Sequence, residues 1–379
     1  MAGGIAFPIL PIAGLRLGLS LPFIGVVLAA NRAVRVVLSP FVGAFADRHG
    51  ARRTMLLGLA CMIVVMALYA AGIALRHPGA FFLGGRLLHG VASAGVFVAA
   101  QTLALQAGGA TQGGKTAGSV RAAIVLGVPI GLVVGGILAD AFGDVATFSI
   151  ASGAVVAALC GAFFTVPDLR APSRARPPLL ESVRAMRDGR LFAVGALNFG
   201  LNFAASGMVL TTLALLIHDR HIALLGRDEQ GTAGLAMGWM TIVDAASTPF
   251  FGRLGDRFRA HARVATSAMV LVIGGLVVVG LTAHRAGLLS GLAMIGLGAA
   301  GLGPSLLVVM GEIVPPERYG ATVGLMGLCG DVGGMLGPLV GTAIFGGGRA
   351  YLCAAALLIV FLPWALWLSA REVRDLSTT

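Results

Sequence analysis

The sequence predicts an all-α polytopic membrane protein made of two pseudo-symmetric six-helix bundles, about 12 transmembrane helices in all. Three observations support this prediction: an apolar composition, a regular spacing of arginines and an internal repeat. Of 379 residues, 57% are hydrophobic and 11% are charged, whereas soluble domains carry about 25% charged residues. So little polar surface excludes a soluble enzyme.

Apolar segments long enough to span a bilayer, about 20 residues each, follow one another along the chain. The predicted spans are 1–15, 20–46, 54–75, 79–106, 117–139, 144–166, 191–217, 232–252, 263–284, 286–310, 319–345 and 349–369. The first reaches only about 22 Å, so we expect the true first helix to begin before Met1. The predicted domains are an N-terminal bundle (1–166), a basic linker (167–190) and a C-terminal bundle (191–379).

The 27 basic residues outnumber the 16 acidic ones, and they cluster after every second apolar segment. This is the positive-inside pattern of a multi-span protein rather than a nucleic-acid-binding face. It predicts a cytoplasmic linker and two cytoplasmic termini. An arginine-rich chain with a single lysine is typical of a GC-rich bacterial genome, and we expect the chain in the bacterial cytoplasmic (inner) membrane. We expect the lipid bilayer, but no nucleic acid, among the partners of a monomer.

Three short patterns recur in the two halves, in the same order and at nearly one offset. Gly-x-x-x-Asp-Arg follows the second segment and again the eighth. A Gly-x-x-x-x-Gly pattern lies in the fourth and tenth segments, and a longer glycine pattern in the fifth and eleventh. One such pattern is weak evidence, because small residues are common where membrane helices pack. Three together indicate two homologous halves.

With these motifs the chain resembles the major facilitator superfamily over essentially its whole length. The matching residues between the second and third segments are Gly43, Asp47, Arg48, Gly50, Arg52 and Arg53, with Ala51 replacing a basic residue. Arg86 and Gly90 resemble the fourth-helix motif. The resemblance implies two bundles that rock around a central cavity lined by the first, fourth, seventh and tenth helices.

The fifth segment resembles the family motif associated with antiporters. Leu132 replaces the usual proline, and a proline lies one turn earlier. The eleventh segment repeats the pattern. The predicted helix-packing residues are Gly127, Pro129, Gly131, Gly135, Gly136, Gly337 and Pro338.

The loop at 43–53 is a candidate gate. Glycine near a helix end permits close backbone approach, and Asp47 can neutralise adjacent arginines or accept from a helix N-terminus. The alternative is a charged turn that serves topology alone. The repeated loop and the fourth helix add Arg86, Gly252, Asp256 and Arg257 to the predicted gating set.

Ionisable groups within a span are costly and therefore candidates for function. In the second segment these are Arg32 and Arg35, with Asn31 beside them. The fifth segment has Arg121, and the eighth and eleventh have Asp244 and Asp331. The resemblance suggests pairing Arg32 or Arg35 with Asp331, and Arg121 with Asp244. Such pairs are natural proton-coupling elements, or else fixed salt bridges that pin the bundles.

Asn198, Asn202 and Ser206 recur every four residues along the seventh segment. This polar stripe is expected either to contact substrate or to hydrogen-bond between helices. Arg86 is expected to be a structural or relay charge rather than a substrate contact.

No cofactor, metal site or enzymatic motif is expected. The stretch from Gly109 to Thr116 matches a phosphate-loop pattern but lies in a short turn between spans, without the required strand. The four cysteines lie in apolar segments and are expected to be buried free thiols. The predicted function is proton-coupled export of small amphipathic or drug-like molecules. Alternatives are proton-coupled uptake of an organic anion and, distantly, a membrane-embedded enzyme.

Overall fold

The computed structural model describes residues 2–167, 187–315 and 319–377. Side chains at a few helical positions are outside this description: 2, 40, 47, 104–122, 124, 125, 319–321 and 375–377. The regular elements of the described ranges are helices, which confirms the all-α prediction. Most of the predicted linker falls outside these ranges.

The helices are numbered here in chain order. They are α1 (Ala2–Arg16), α2 (Leu21–His49), α3 (Ala51–Ala74), α4 (Pro78–Phe142), α5 (Asp144–Thr165), α6 (Gly189–Arg220), α7 (Glu229–Phe258), α8 (His261–Leu281), α9 (Arg285–Ile313), α10 (Tyr319–Ala343) and α11 (Arg349–Ser377).

Nine helical stretches in the described ranges are long and apolar enough to cross a membrane, and Gly3–Arg16 and Leu126–Phe142 are shorter apolar stretches. The protein is therefore a multi-pass membrane protein. α7 is long enough at 30 residues but more polar than these nine. α1 comprises 15 residues, with Pro8 and Pro11 inside it.

α4 contains both the fourth and the fifth predicted span. A Cβ atom on Gly3 would lie 3.3 Å from His89 Nε2, and one on Gly4 would lie 2.7 Å from the carbonyl oxygen of Val128. A straight helix would separate residues 89 and 128 by about 58 Å. α4 therefore folds back between them and supplies two spans.

The chain divides into two compact units. Unit 1 comprises Met1–Arg174 and Ala223–Gly238, and unit 2 comprises Ala175–Ile222 and Trp239–Thr379. The first part of α7 thus belongs to unit 1 and the remainder to unit 2. The domain boundaries predicted from sequence stay a prediction.

Glycines let the helices of unit 1 approach closely. A Cβ atom on Gly90 would lie 2.6 Å from the carbonyl oxygen of Asn31, so α2 and α4 touch backbone to backbone there. Likewise, a Cβ atom on Gly136 would lie 2.9 Å from Cα of Gly234 in α7.

Asp140 accepts hydrogen bonds from the backbone N–H of Asp228 (3.1 Å) and of Gly231 (3.2 Å). It therefore caps the N-terminus of α7, where a carboxylate is favourable.

α8 in unit 2 is capped at both ends by charged side chains from other helices. Glu372 accepts from the backbone N–H groups of Ala262 (2.8 Å) and Arg263 (3.2 Å) at its N-terminus. At its C-terminus, Arg220 donates to the carbonyl oxygens of Val279, Gly280 and Thr282. Both charges oppose the partial charge of the helix end.

The centre of α6 is π-helical over Asn202–Val209, and α10 packs against it through glycines. A Cβ atom on Gly337 would lie 2.6 Å from Cα of Gly207, and one on Gly333 would lie 3.0 Å from the backbone nitrogen of Phe203. The two helices are therefore in backbone contact at Gly333 and Gly337.

We expect Gly337→Val to destabilise unit 2. The atoms nearest to a side chain at this position are backbone atoms of α6, which cannot move aside as a flexible side chain can. Overpacking of this kind costs about 1–3 kcal/mol or more. Gly327→Val is the matched control on the same helix, since nothing lies within 4 Å of that position. Fluorescence-detected size-exclusion chromatography after heating should show a lower midpoint for Gly337→Val. Equal midpoints for both variants would contradict this account of the α6–α10 packing.

Candidate functional site

The charges within the spans differ in sign between the units. From residue 1 to residue 139 the sequence holds a single acidic residue, Asp47, while Arg32, Arg35 and Arg86 lie in spans of unit 1. Unit 2 instead places Asp244 and Asp331 within its helices. Because an ionised group in a membrane interior is costly and usually functional, each set is the candidate functional group of its own unit.

In unit 1, Asn31, Arg32 and Arg35 are half-buried on α2. The guanidinium of Arg35 lies 5.9 Å from the ring centroid of Phe97 on α4, within cation–π range. Ser39 Oγ donates to the carbonyl oxygen of Arg35 (2.6 Å). Asn31 and Arg35 thus lie on the α2 face that α4 contacts. The predicted pairing of these arginines with Asp331 stays a prediction.

Arg86 is fully buried in unit 1, at 0% exposure. Its guanidinium carbon lies 5.2 Å from the ring centroid of Phe7. None of its three guanidinium nitrogens has a hydrogen-bond partner among the described residues. Sequence reasoning singled out Arg86 but missed Phe7 and Tyr69, because no sequence pattern connects them to it.

In unit 2, Asp244 lies half-buried at a close crossing of α7 and α9. A Cβ atom on Gly296 would lie 3.2 Å from the backbone nitrogen of Asp244, so Gly296 of the repeated pattern makes this approach possible. Thr248 Oγ1 donates to the backbone oxygen of Asp244 (2.9 Å). Among the described residues, no cation or donor contacts its carboxylate. The side chain of Arg121, its predicted partner, lies outside the described side chains.

A second polar group of unit 2 joins α6 and α10. Asn198 Nδ2 donates to the carbonyl oxygen of Met326 (2.7 Å), and Asn202 Nδ2 donates to the carbonyl oxygen of Asn198 (3.0 Å). A Cβ atom on Gly330 would lie 3.0 Å from Asn202 Nδ2, and Asp331 is the next residue. The two asparagines therefore hydrogen-bond within and between helices, which was one of the two expectations.

Ser206, the third residue of the predicted stripe, is half-buried like Asn198 and Asn202. It lies in the π-helical turn from Asn202 to Val209, and its place in the polar stripe stays a prediction. Single π turns inside α-helices are frequent at functional sites. The sequence gives no signal for this one.

The first predicted gate is a helix end rather than a loop, which corrects the sequence expectation. Residues 43–49 belong to α2, and Gly50 alone joins α2 to α3. Its backbone (φ 90°, ψ 149°) is accessible essentially to glycine only. Arg52 Nη2 donates to the carbonyl oxygen of Phe163 (2.5 Å), tying α3 to α5. Arg48 and Arg53 are exposed, and the Asp47 side chain lies outside the described side chains.

The second predicted gate is likewise helical, because Gly252, Asp256 and Arg257 all lie in α7. Asp256 Oδ1 lies 3.2 Å from His261 Nε2 at the start of α8. The joint between these helices uses Arg259 in the left-handed region (φ 45°), so it differs from the glycine joint of the first repeat.

A charged cavity of about 620 Å³ adjoins this gate within unit 2. Its lining combines the Asp256–His261 pair with the Glu372 cap of α8 and with basic side chains from α6, from α11 and from the joint between α7 and α8. The basic residues are Arg190, Arg259 and Arg371. Sequence reasoning identified Asp256 but not its partners, which are far apart in the chain.

The cysteines are free but not buried, contrary to expectation. Cys160 and Cys353 are exposed and the other two half-buried, because apolar side chains of a membrane helix also face lipid. Within the described residues, no group of three or more potential metal ligands occurs.

Comparison with known proteins identifies the chain. The family model of the Major Facilitator Superfamily matches residues 1–227 and again residues 195–378. The chain belongs to the major facilitator superfamily. Members of this family are transporters, so the protein transports small molecules across a membrane and is not an enzyme. The double match also agrees with the internal repeat.

Several relatives are similar over most of their length. A multi-drug resistance efflux pump PmrA homolog of Lactococcus lactis is 25% identical, covering 89% of this chain and 84% of the relative. Multidrug resistance protein MdtG of Citrobacter koseri is 26% identical, with coverages of 93% and 86%. The staphyloferrin B transporter of Staphylococcus aureus is 25% identical, with coverages of 89% and 79%.

Two solved structures share the fold. A crystal structure of a mutant of the nucleoside transporter NupG has a TM-score of 0.74 at 15% identity, covering 98% of this chain and 96% of that one. The human organic anion transporter MFSD10 has a TM-score of 0.68 at 20% identity, with coverages of 96% and 95%. At these identities the likeness extends to the fold alone.

Proposed function

We propose that this transporter exports small amphipathic molecules in exchange for protons, by alternating access. The observation that carries the proposal is Asp244, a carboxylate within a membrane span that no described cation or donor contacts. A bound proton removes a charge that such surroundings disfavour. Asp244 can therefore take up and release a proton as its surroundings change between the two states of the transporter. Asp331, beside the asparagine pair, is the second proposed proton carrier.

Two further observations support export. Relatives from two bacteria are named as multidrug efflux proteins. In addition, the glycine motif of the fifth predicted span packs against its neighbours: Gly136 lies against Gly234 of α7, and Gly135 lies against Ile5 of α1. The amides of Asn198 and Asn202 would then contact substrate when they exchange their present hydrogen bonds.

The proposed location is the cytoplasmic membrane of a bacterium, with both termini in the cytoplasm and a monomer as the working unit. The distribution of arginine supports this orientation. In this orientation the gating residues at Gly50 and Asp256 lie on the cytoplasmic side.

One alternative is favoured by a specific observation. The spans of unit 1 hold arginines and no carboxylate before Asp140, which suits an anionic substrate. In that case the protein would be a proton-coupled uptake symporter for a small organic anion, with Arg32 or Arg35 facing the anion.

Transport by purified protein in liposomes under an imposed pH gradient tests the direction of coupling. Ethidium and labelled benzoate serve as cationic and anionic probes, preloaded at equal concentration on both sides. We expect ethidium to move against the proton flow, out of the compartment that protons enter. Protein-free liposomes give the background, because benzoic acid crosses the bilayer unaided and collects in the alkaline compartment. Accumulation of either probe above that background in the direction of proton flow would overturn the exporter, and benzoate accumulation above it would establish the symporter.

A further inference from the structure

The core of unit 1 contains a cluster of buried polar atoms without hydrogen-bond partners among the described residues. They are the three guanidinium nitrogens of Arg86, the hydroxyl of Tyr69 and Nδ1 of His89. Arg86 and Tyr69 are 0% exposed and His89 is 5% exposed. Buried polar groups are nearly always hydrogen-bonded, and exceptions call for an explanation such as a bound ion.

The positive charge of Arg86 indicates that the bound ion would be an anion. A guanidinium stays protonated in proteins, and burying an ion without a counter-charge is very unfavourable. The sole acidic residue before Asp140 is Asp47. It lies about 24 Å along α2 from Asn31, which contacts Gly90 one turn after Arg86. None of the described carboxylates accepts a hydrogen bond from Arg86.

The three side chains converge. Arg86 and His89 are three residues apart and share one face of α4. The ring of Tyr69 lies against Gly85, since a Cβ atom there would be 2.5 Å from Tyr69 Cε1. The charge of Arg86 interacts electrostatically with Tyr69 and with His89. The cluster thus combines one fixed positive charge with O–H and N–H donors, a set that suits a small anion.

Phe7 separates this cluster from more accessible space. Its ring lies over the Arg86 guanidinium, yet Phe7 itself is half-buried whereas Arg86 is fully buried. α1 is also a weak helix, because Pro8 and Pro11 donate no hydrogen bonds to the carbonyl groups of Gly4 and Phe7. A small displacement of Phe7 would therefore open the cluster.

We propose that Arg86, Tyr69 and His89 form a binding site for a monovalent anion, covered by Phe7. The anion is either chloride or the carboxylate of a transported molecule. The carboxylate form rests on the transport function proposed above, whereas the chloride form is independent of it.

Thermal unfolding of the purified full-length protein tests the site without relying on transport. Sodium isethionate, whose anion is large, is replaced at constant ionic strength by chloride or by benzoate. A ligand that binds only the folded state raises the Tm with its concentration. We expect a saturable rise of about 2 °C or more. If chloride alone raises the Tm, the ligand is a resident inorganic anion. If benzoate raises the Tm more strongly and competes with chloride, the ligand is the carboxylate of a substrate.

Three variants test whether the anion-dependent rise in Tm comes from this cluster. Arg86→Met should abolish it and have a Tm in isethionate at least equal to that of the wild type, because an uncompensated buried charge is gone. Tyr69→Phe should weaken it. Tyr351→Phe is the matched control, since Tyr351 is equally buried but its hydroxyl is within hydrogen-bond distance of Thr212 (3.2 Å), and it should keep the full response.

The proposal is overturned if the wild type responds to neither anion, or if Arg86→Met responds like the wild type. If Arg86→Met does not fold, the two tyrosine variants decide, and an equal response from both overturns the proposal. Failure of export in liposomes with an intact anion response would instead reject the proposed direction of transport and leave the site standing.

Discussion

Asp244→Asn is expected to abolish proton-driven transport while leaving exchange of substrate intact. Asparagine keeps the size and polarity of the side chain, so the close crossing of α7 and α9 at Gly296 should persist. It cannot bind and release a proton, however, so a cycle that needs both Asp244 and Asp331 as proton carriers is no longer driven by an imposed pH gradient. In liposomes, accumulation of ethidium against its gradient should fall to background, whereas counterflow at equal pH should stay within about twofold of the wild type.

The matched control is Glu312→Gln, which removes another carboxylate of unit 2. Glu312 lies in the last turn of α9 and lines the charged cavity, outside the proposed proton path. This variant should accumulate ethidium like the wild type. Full pH-driven accumulation by Asp244→Asn would show that this carboxylate is not a proton carrier, and loss of counterflow as well would indicate a structural role.

Gly50→Ala is expected to lower transport by about tenfold or more, corresponding to at least roughly 1.4 kcal/mol. Gly50 is at once the end of α2 and the start of α3: its N–H donates to Ala46 (2.9 Å), and its carbonyl accepts from Thr54 Oγ1 (3.0 Å). Alanine is strained at its positive φ, at a cost of about 1–3 kcal/mol. The two helices would change their relative angle at the proposed gate.

The control variant Gly143→Ala distinguishes the effect of backbone strain from a role of Gly50 in gating. Gly143 joins α4 to α5 with nearly the same backbone conformation (φ 80°, ψ 168°), and a Cβ atom at that position would meet nothing within 4 Å. Both variants should lose similar thermal stability. At matched amounts of folded protein, Gly50→Ala alone should lose ethidium transport. A similar loss in Gly143→Ala would reduce the role of Gly50 to that of a helix joint.

Much of the fold could be predicted from sequence, because bilayer thickness and arginine placement are strong constraints. The spans follow from them, and the repeat follows from the recurring glycine and Asp-Arg patterns. The helical gates could not be predicted in the same way. A charged run with glycines is typical of a loop, but α2 and α7 extend past the apolar core until Gly50 and Arg259 interrupt them.

The candidate site was predicted only where a single residue is conspicuous. Arg86, Asp244 and Asn198 are polar groups in apolar segments and are visible as such. Their surroundings depend on tertiary packing: Phe7 over Arg86, Gly296 against α7 and the π turn of α6 bring together residues far apart in the chain. Buried and lipid-facing positions of a membrane helix are both apolar in sequence, which is why the prediction that the cysteines are buried was wrong.

Proton flux induced by substrate is the most direct measure of the proposed exchange. Liposomes containing the purified transporter and the pH-sensitive dye pyranine are prepared without a pH gradient, and ethidium is added to one side. If protons are exchanged for substrate, ethidium entry should drive protons outward and raise the internal pH in the wild type, with no change for Asp244→Asn. A fall in internal pH on ethidium entry, or a rise of equal size in Asp244→Asn, would contradict the account.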